Sequence, residues 1–201
     1  MNLFLQLGLT LLLAYVIGSI PTGYIIVKSK TGDDIRTIGS GSTGATNVKR
    51  VLGKKWFFIV LLLDALKGAL PVILATLFVT AGKSLGLAPV LAAVAVIIGH
   101  SKSCFLGFKG GKSVASGVGT ILALNWMVGA IIAIIWGIIT YTTKYVSVGS
   151  IIALLISPVL MYLFKAPIAY ICYCAIGAIY IVYLHRENIK RLFAGNENKV
   201  R

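Results

Sequence analysis

The run 56–81 limits this chain more than any other feature, because Asp64 and Lys67 are its only charged side chains. A bilayer core about 30 Å thick takes about 20 apolar residues at ~1.5 Å each, so this run is long enough to cross one. Segment 3–27 satisfies the same condition. Further apolar candidates are 87–99, 114–143, 146–164 and 167–184. With 58% hydrophobic against 12% charged residues and a mean hydropathy of +0.96, the whole chain fits one all-α integral membrane domain over 1–201. Before Lys28 there is neither a basic n-region nor a small-residue cleavage site, so 3–27 is expected to stay as a first membrane helix.

Nineteen Lys+Arg against five Asp+Glu give a net charge of +14, which in a soluble chain would suggest nucleic acid. Here the cations sit in short stretches between apolar runs, so no nucleic-acid partner is expected. Their placement reports topology instead. Read as one span, 114–143 would leave Lys144 and the C-terminal cations outside, against the positive-inside rule. Broken near Asn125 into two helices of about 15 residues, short for a bilayer, it yields seven spans with the N-terminus outside and the C-terminus cytoplasmic. Sixteen cations then face the cytoplasm, in 28–55, in 102–112, at Lys144 and in 186–201, while Lys83 and Lys165 face outward. Lys67 stays within a span, three residues after Asp64 and on the same helix face. That pair reads equally as a structural ion pair or a site organiser. Cys104, Cys172 and Cys174 form no C-x-x-C, and with two histidines no metal site or cofactor is expected.

Two polar loops on that cytoplasmic face carry anion chemistry. The first reads Gly39-Ser40-Gly41-Ser42-Thr43-Gly44-Ala45-Thr46-Asn47, with Lys49 and Arg50 behind it. Glycines can turn successive N–H groups toward one anion, and the hydroxyls and cations add to the site; a plain Gly/Ser linker needs none of these additions. The second, Gly107-Phe108-Lys109-Gly110-Gly111-Lys112-Ser113, runs into the apolar stretch at Val114, so it lies at a helix N-terminus. Its Gly-Lys-Ser ending resembles a nucleotide-binding loop, but such a loop needs Gly at 106, where Leu106 stands. Phosphate binding is expected there; nucleotide hydrolysis is not. His185, Arg186, Glu187 and Asn188 close the last span, where interfacial anchoring explains the first two but not the others.

In order along the chain, the blocks Gly18-Ser-Ile-Pro-Thr-Gly23, Gly39-Ser-Gly-x-x-Gly-Ala-Thr-Asn47 with Arg50, Asp64-x-x-Lys67-Gly68, Gly99-His100, Phe108-Lys-Gly-Gly-Lys112, Tyr145-Val-Ser-Val-Gly-Ser150 and His185-Arg-Glu-Asn188 resemble the bacterial acyl-phosphate:glycerol-3-phosphate 1-acyltransferases. The resemblance implies a seven-span inner-membrane enzyme with its site toward the cytoplasm. It implies that Ser40, Arg50, Lys112, Ser150, His185 and Asn188 act in catalysis, and that Gly41, Thr46, Asn47, Gly110, Gly111, Ser113 and Glu187 help bind substrate. Ser42, Ser103, Ser113 and Ser116 stand where the family usually has Asn, Pro, Gly and Thr. The Ser42 and Ser113 changes touch both anion loops and leave open an altered substrate preference or a lower activity.

The implied reaction moves a fatty acyl group from acyl phosphate to the 1-hydroxyl of glycerol 3-phosphate, giving lysophosphatidic acid and phosphate. Two anionic substrates explain two anion loops, the acyl chain places the enzyme against membrane lipid, and an acyl-phosphate synthase is the implied functional partner. Direct attack without an acyl-enzyme is expected, since neither histidine sits in a motif that pairs it with a nucleophile. An anion transporter is the rival reading, with its site near mid-membrane. A His-x4-Asp acyltransferase is not, since position five after His100 is Phe105 and after His185 is Lys190.

Overall fold

A computed structural model describes residues 3–79 and 86–200 and is all-helical over them. Lys83 and Arg201 fall outside the described residues. The first apolar segment is two helices, α1 (Leu3–Ser19) and α2 (Thr22–Thr31), which together make a 28-residue apolar rod. The single helix expected over 3–27 breaks at Pro21, which has no N–H to give the preceding turn. The Ile20 carbonyl beside the break instead accepts from Lys67 Nζ at 2.7 Å. After a polar loop, the short amphipathic α3 (Ala45–Leu52) buries Val48 against Val27, Ile35 and Val60 at one end of the bundle.

Helix α4 (Lys54–Phe78), about 37 Å long, forms the centre with α5 (Leu87–Ser101). Close approach rests on missing side chains. A Cβ on Gly18 would strike the Val96 carbonyl of α5, and one on Gly99 the backbone of α1 at Tyr15. Gly68 of α4 lies in the same way on Ser116 of the helix that begins at Val114. In lipid, where apolar surface has no water to escape, such backbone contact holds helices together.

The stretch 114–143 breaks at Asn125, as the distribution of cations requires, but unequally: α6 (Val114–Leu124) has 11 residues and α7 (Trp126–Thr143) has 18. Asn125 Oδ1 caps α7 by accepting from the Val128 N–H at 3.2 Å. Helix α6, about 16 Å long, lies against α4 and α5, so its ends are shielded by protein rather than lipid. Helices α8 (Val146–Leu163) and α9 (Ile168–Leu184) follow, and α9 turns by 59° into the amphipathic α10 (Arg186–Phe193). Among the described residues, five segments, the α1–α2 rod first, have the length and apolarity to cross a bilayer, and the bent pair makes a sixth. Their outward faces are apolar, with Phe78, Leu77 and Ile179 among the most exposed side chains. Helix α8 sets the polarity of the bundle: Lys144 precedes it at one end and Lys165 follows it at the other.

Candidate functional site

At the Lys144 end, seven helices, the C-terminal cap of α9 and both glycine-rich loops line a cavity of about 110 Å³. All six residues expected in catalysis line it: Ser40, Arg50, Lys112, Ser150, His185 and Asn188. Each arrives from a different place, so the cavity depends on the whole fold.

Loop 39–47 is shaped by Asn47. Its Nδ2 faces the carbonyls of Ile35, Ile38 and Ser42 at 3.2, 2.9 and 3.0 Å, and its Oδ1 accepts from the Ser40 N–H at 3.1 Å. The side chain expected to bind substrate therefore spends its amide within the loop, holding Ser40 over the cavity. Thr46 lines the cavity with it, whereas Gly41 lies outside the lining at φ +67° and makes the turn. Ser42 Oγ accepts from the Gly44 N–H at 3.3 Å, the kind of short-range turn bond an Asn would make in its place.

The second loop differs from its sequence reading. Gly110 and Gly111 are not on the cavity wall; they lie on the end of α5, where a Cβ on Gly110 would strike the His100 carbonyl and one on Gly111 the His100 ring. The Gly111 N–H donates to the His100 carbonyl at 3.1 Å and is not turned toward a ligand. Lys112, Ser113 and the first turn of α6 at Val114 and Ala115 face the cavity instead, and first-turn N–H groups of a helix are open anion donors. Ser113 adopts φ +58°, a conformation that suits glycine, and its buried Oγ donates to the Ile97 carbonyl at 3.0 Å. Burial, together with Arg191 and Arg50, pulls the Lys112 ammonium down to about 8 despite the counter-charge of Glu197.

At the far wall Lys112 Nζ donates to Asn188 Oδ1 at 2.5 Å. His185 Nδ1 lies 2.8 Å from the Ile181 carbonyl, which can only accept, so Nδ1 carries the proton and Nε2 the lone pair of the neutral ring. Ser150 Oγ donates to the Val146 carbonyl at 2.8 Å and accepts from Trp136 Nε1 at 3.2 Å. Glu187 lies off the cavity, exposed and 3.3 Å from Lys190 Nζ.

Sequence reading missed Arg191 and Glu197, which line the cavity from α10 and the tail behind it. Burial works against the Glu197 carboxylate, but hydrogen bonds from Asn188, Ser147 and Arg191 outweigh it and keep its pKa below the ordinary value. Asp64 lines the cavity and pairs with Lys67 Nζ at 2.7 Å, so the two form an ion pair of which the carboxylate alone is part of the cavity wall. Ser116, His100 and Asp64 also meet, but not as a triad. Both partners approach the same ring atom, His100 Nδ1, at 3.0 and 4.0 Å, whereas a triad histidine uses opposite nitrogens.

The family model for glycerol-3-phosphate acyltransferases matches residues 8–195. The chain belongs to that family. Glycerol-3-phosphate acyltransferases of Trichormus variabilis, a Synechococcus strain and Thermotoga petrophila are 43%, 46% and 45% identical to it, over 100%, 96% and 94% of this chain and 95%, 96% and 94% of theirs. Among solved structures, the integral membrane glycerol 3-phosphate acyltransferase PlsY (YgiH) superposes with a TM-score of 0.89 in its glycerol 3-phosphate form. That pair shares 36% identity over 97% of this chain and 96% of the other. Its lysophosphatidic acid form gives 0.86 at 35% identity, over 97% and 95%. Membership makes this chain a membrane acyltransferase that acts on glycerol 3-phosphate.

Proposed function

We propose that the cavity transfers a fatty acyl group from acyl phosphate to the 1-hydroxyl of glycerol 3-phosphate, releasing inorganic phosphate. The observation that carries this reading is the meeting of Arg50, Lys112, Arg191 and the α6 N-terminus in one cavity that also has an apolar wall at Phe57, Leu61 and Trp136. Acyl phosphate is already activated, so holding two anions together and stabilising developing charge supplies the catalysis. The hydroxyl oxygen bonds to the acyl carbon while the acyl–phosphate C–O bond breaks and its electron pair leaves with phosphate. Lys112 and the α6 N-terminus offset that charge. The hydroxyl proton passes to His185 Nε2, or to a phosphate oxygen of the substrate. Among the described cavity residues no hydroxyl is bonded to His185, which supports direct displacement over an acyl-enzyme.

The cavity stands at the cation-rich end of the bundle. By the positive-inside rule that end faces the cytoplasm of a bacterial inner membrane, with α6 as a short seventh crossing, the N-terminus outside and the C-terminus inside. A transporter would hold its anion near mid-membrane, and this site lies at an end. Purified protein given radiolabelled glycerol 3-phosphate with acyl phosphate, acyl-CoA or acyl carrier protein should form lysophosphatidic acid with acyl phosphate. Product from acyl-CoA alone would replace the donor, and product from none would end the reading. A soluble acyl-phosphate synthase is the functional partner this donor requires.

A further inference from the structure

We propose that Glu197 is a positioning residue of this site: through the Asn188 amide it sets where the Lys112 ammonium stands, and the tail that carries it is a wall of the cavity. The inference rests on the acyltransferase reading above.

The path of the tail is defined by its own bonds. Gly195 turns the chain at φ +71°, the Asn196 N–H donates to the Arg191 carbonyl at 2.8 Å, and the Val200 N–H donates to the Lys144 carbonyl at 2.8 Å. Residues 194–200 thus tie the end of α10 to the turn between α7 and α8. Between the two ties Glu197 points inward with its side chain 6% exposed. Oε1 accepts from Asn188 Nδ2 at 2.6 Å and from Ser147 Oγ at 2.9 Å, and Oε2 from Arg191 Nε at 2.8 Å.

A carboxylate only accepts and an ammonium only donates, so an amide between them has one favourable orientation. With Nδ2 on Glu197, the Asn188 Oδ1 must face Lys112, where it is found at 2.5 Å. The flipped amide would set oxygen against carboxylate and N–H against ammonium. Without Glu197 the orientation rests on Lys112 alone, and the Asn188 Nδ2 loses the acceptor that fixes it. The charge count points the same way. The groups that face Lys112 are Arg50 from α3, Arg191 from α10, His185 at the end of α9 and Glu197, with His100 and the Asp64–Lys67 pair deeper. Asp64 is already paired, which leaves Glu197 as the anion among three cations.

Acyl transfer measured across pH with wild type, Glu197→Gln and Glu197→Asp decides the matter. Glu197→Gln should lose at least ten-fold in kcat/KM for glycerol 3-phosphate. Its alkaline decline should move to lower pH, because an ammonium without its counter-charge deprotonates more easily. Glu197→Asp, with the charge retained, should keep the wild-type decline. A slower enzyme with an unmoved decline would make the tail merely structural, and a lower KM in Glu197→Gln would make the carboxylate a competitor of substrate; either overturns the proposal. Should Glu197→Gln fail to fold, the exchange still tests it. Asn188→Asp alone sets two carboxylates together and should be inactive, while Asn188→Asp with Glu197→Gln restores the donor–acceptor order and should recover at least ten-fold. No recovery refutes the positioning role. Calorimetric binding of glycerol 3-phosphate alone should weaken ten-fold in Glu197→Gln, and unchanged binding counts against the proposal whichever acyl donor is used.

Discussion

In loop 39–47, Gly39 and Gly41 stand at φ +61° and +67°, and the loop is shaped by turns that only glycine makes cheaply. Across the cavity, in loop 107–113, Gly107 shares the left-handed region with Phe108 and Ser113, while Gly110 and Gly111 serve a different need: they let the backbone lie on His100. The first loop uses conformational freedom and the second uses missing volume. At Gly41 a side chain costs mainly local strain, whereas at Gly39 its Cβ would also strike Asn47 Oδ1. Gly110 cannot take one, because its neighbour is the His100 backbone, and Gly111 lies against the buried His100 ring.

The largest effect should therefore come from Gly110→Ala, whose Cβ meets the His100 carbonyl. A carbonyl held in a helix does not rotate away, so the 107–113 loop must lift and carry Lys112 with it. Overpacking of this kind costs about 1–3 kcal/mol and sometimes more, and the geometric loss at the site adds to it. Activity should fall at least a hundred-fold, with a lower melting temperature by dye-based thermal shift. Near-normal activity would show that the close contact does not constrain the loop.

Lys112→Ala comes next. It removes a charge-assisted contact to phosphate worth about 1.5–3 kcal/mol, hence roughly ten- to 150-fold in kcat/KM. Lys109→Ala, off the cavity, should matter less. In the wild type the Lys112 pKa, lowered to about 8, means the ammonium is charged below that pH and lost above it. Since kcat/KM reports groups of the free enzyme, it should decline as pH rises through about 8, and Lys112→Ala should abolish that limb. An identical limb in the variant would assign it to another group.

These differences mark how far sequence carries. The apolar runs specify the spans because lipid imposes a length on them, and the break at Asn125 follows from where Lys144 must lie. The cavity residues Ser40, Arg50, Lys112, Ser150, His185 and Asn188 stand in blocks that a family resemblance can align. The division of labour among glycines is not legible, because Gly110 and Gly41 differ only in what lies a few ångströms away. Glu197 was missed for a related reason. Residues 194–200 carry no apolar period, and the hydrogen bonds that draw the tail across the cavity join positions far apart in the chain.

A smaller effect is expected at Gly41→Ala. Its φ of +67° strains an L-residue by about 1–2 kcal/mol, and the new Cβ would lie 3.1 Å from the Arg36 carbonyl, a contact the exposed loop can relax. Gly41 does not touch the cavity, so the change should appear as a fall in melting temperature with KM within about three-fold of wild type. A KM rise beyond ten-fold would mean the first loop is packed as tightly as the second.

Ser113→Gly should do least, although it changes a fully buried residue beside Lys112. Glycine relieves the left-handed strain at φ +58°, a gain of about 1–2 kcal/mol. The same change removes the Ser113 hydrogen bond to the Ile97 carbonyl, whose net worth is about 0.5–1.5 kcal/mol, and frees the unfolded chain by a further ~0.5–1 kcal/mol. These contributions nearly cancel, so stability should stay within about 1 kcal/mol and kcat/KM within about three-fold. The family's usual glycine and this chain's serine are then two solutions to one backbone demand, one by freedom and the other by a bond. Were Ser113→Gly to cost ten-fold in kcat/KM with the melting temperature unchanged, the hydroxyl would be acting on substrate, and this position would belong with Lys112 in the chemistry of the site.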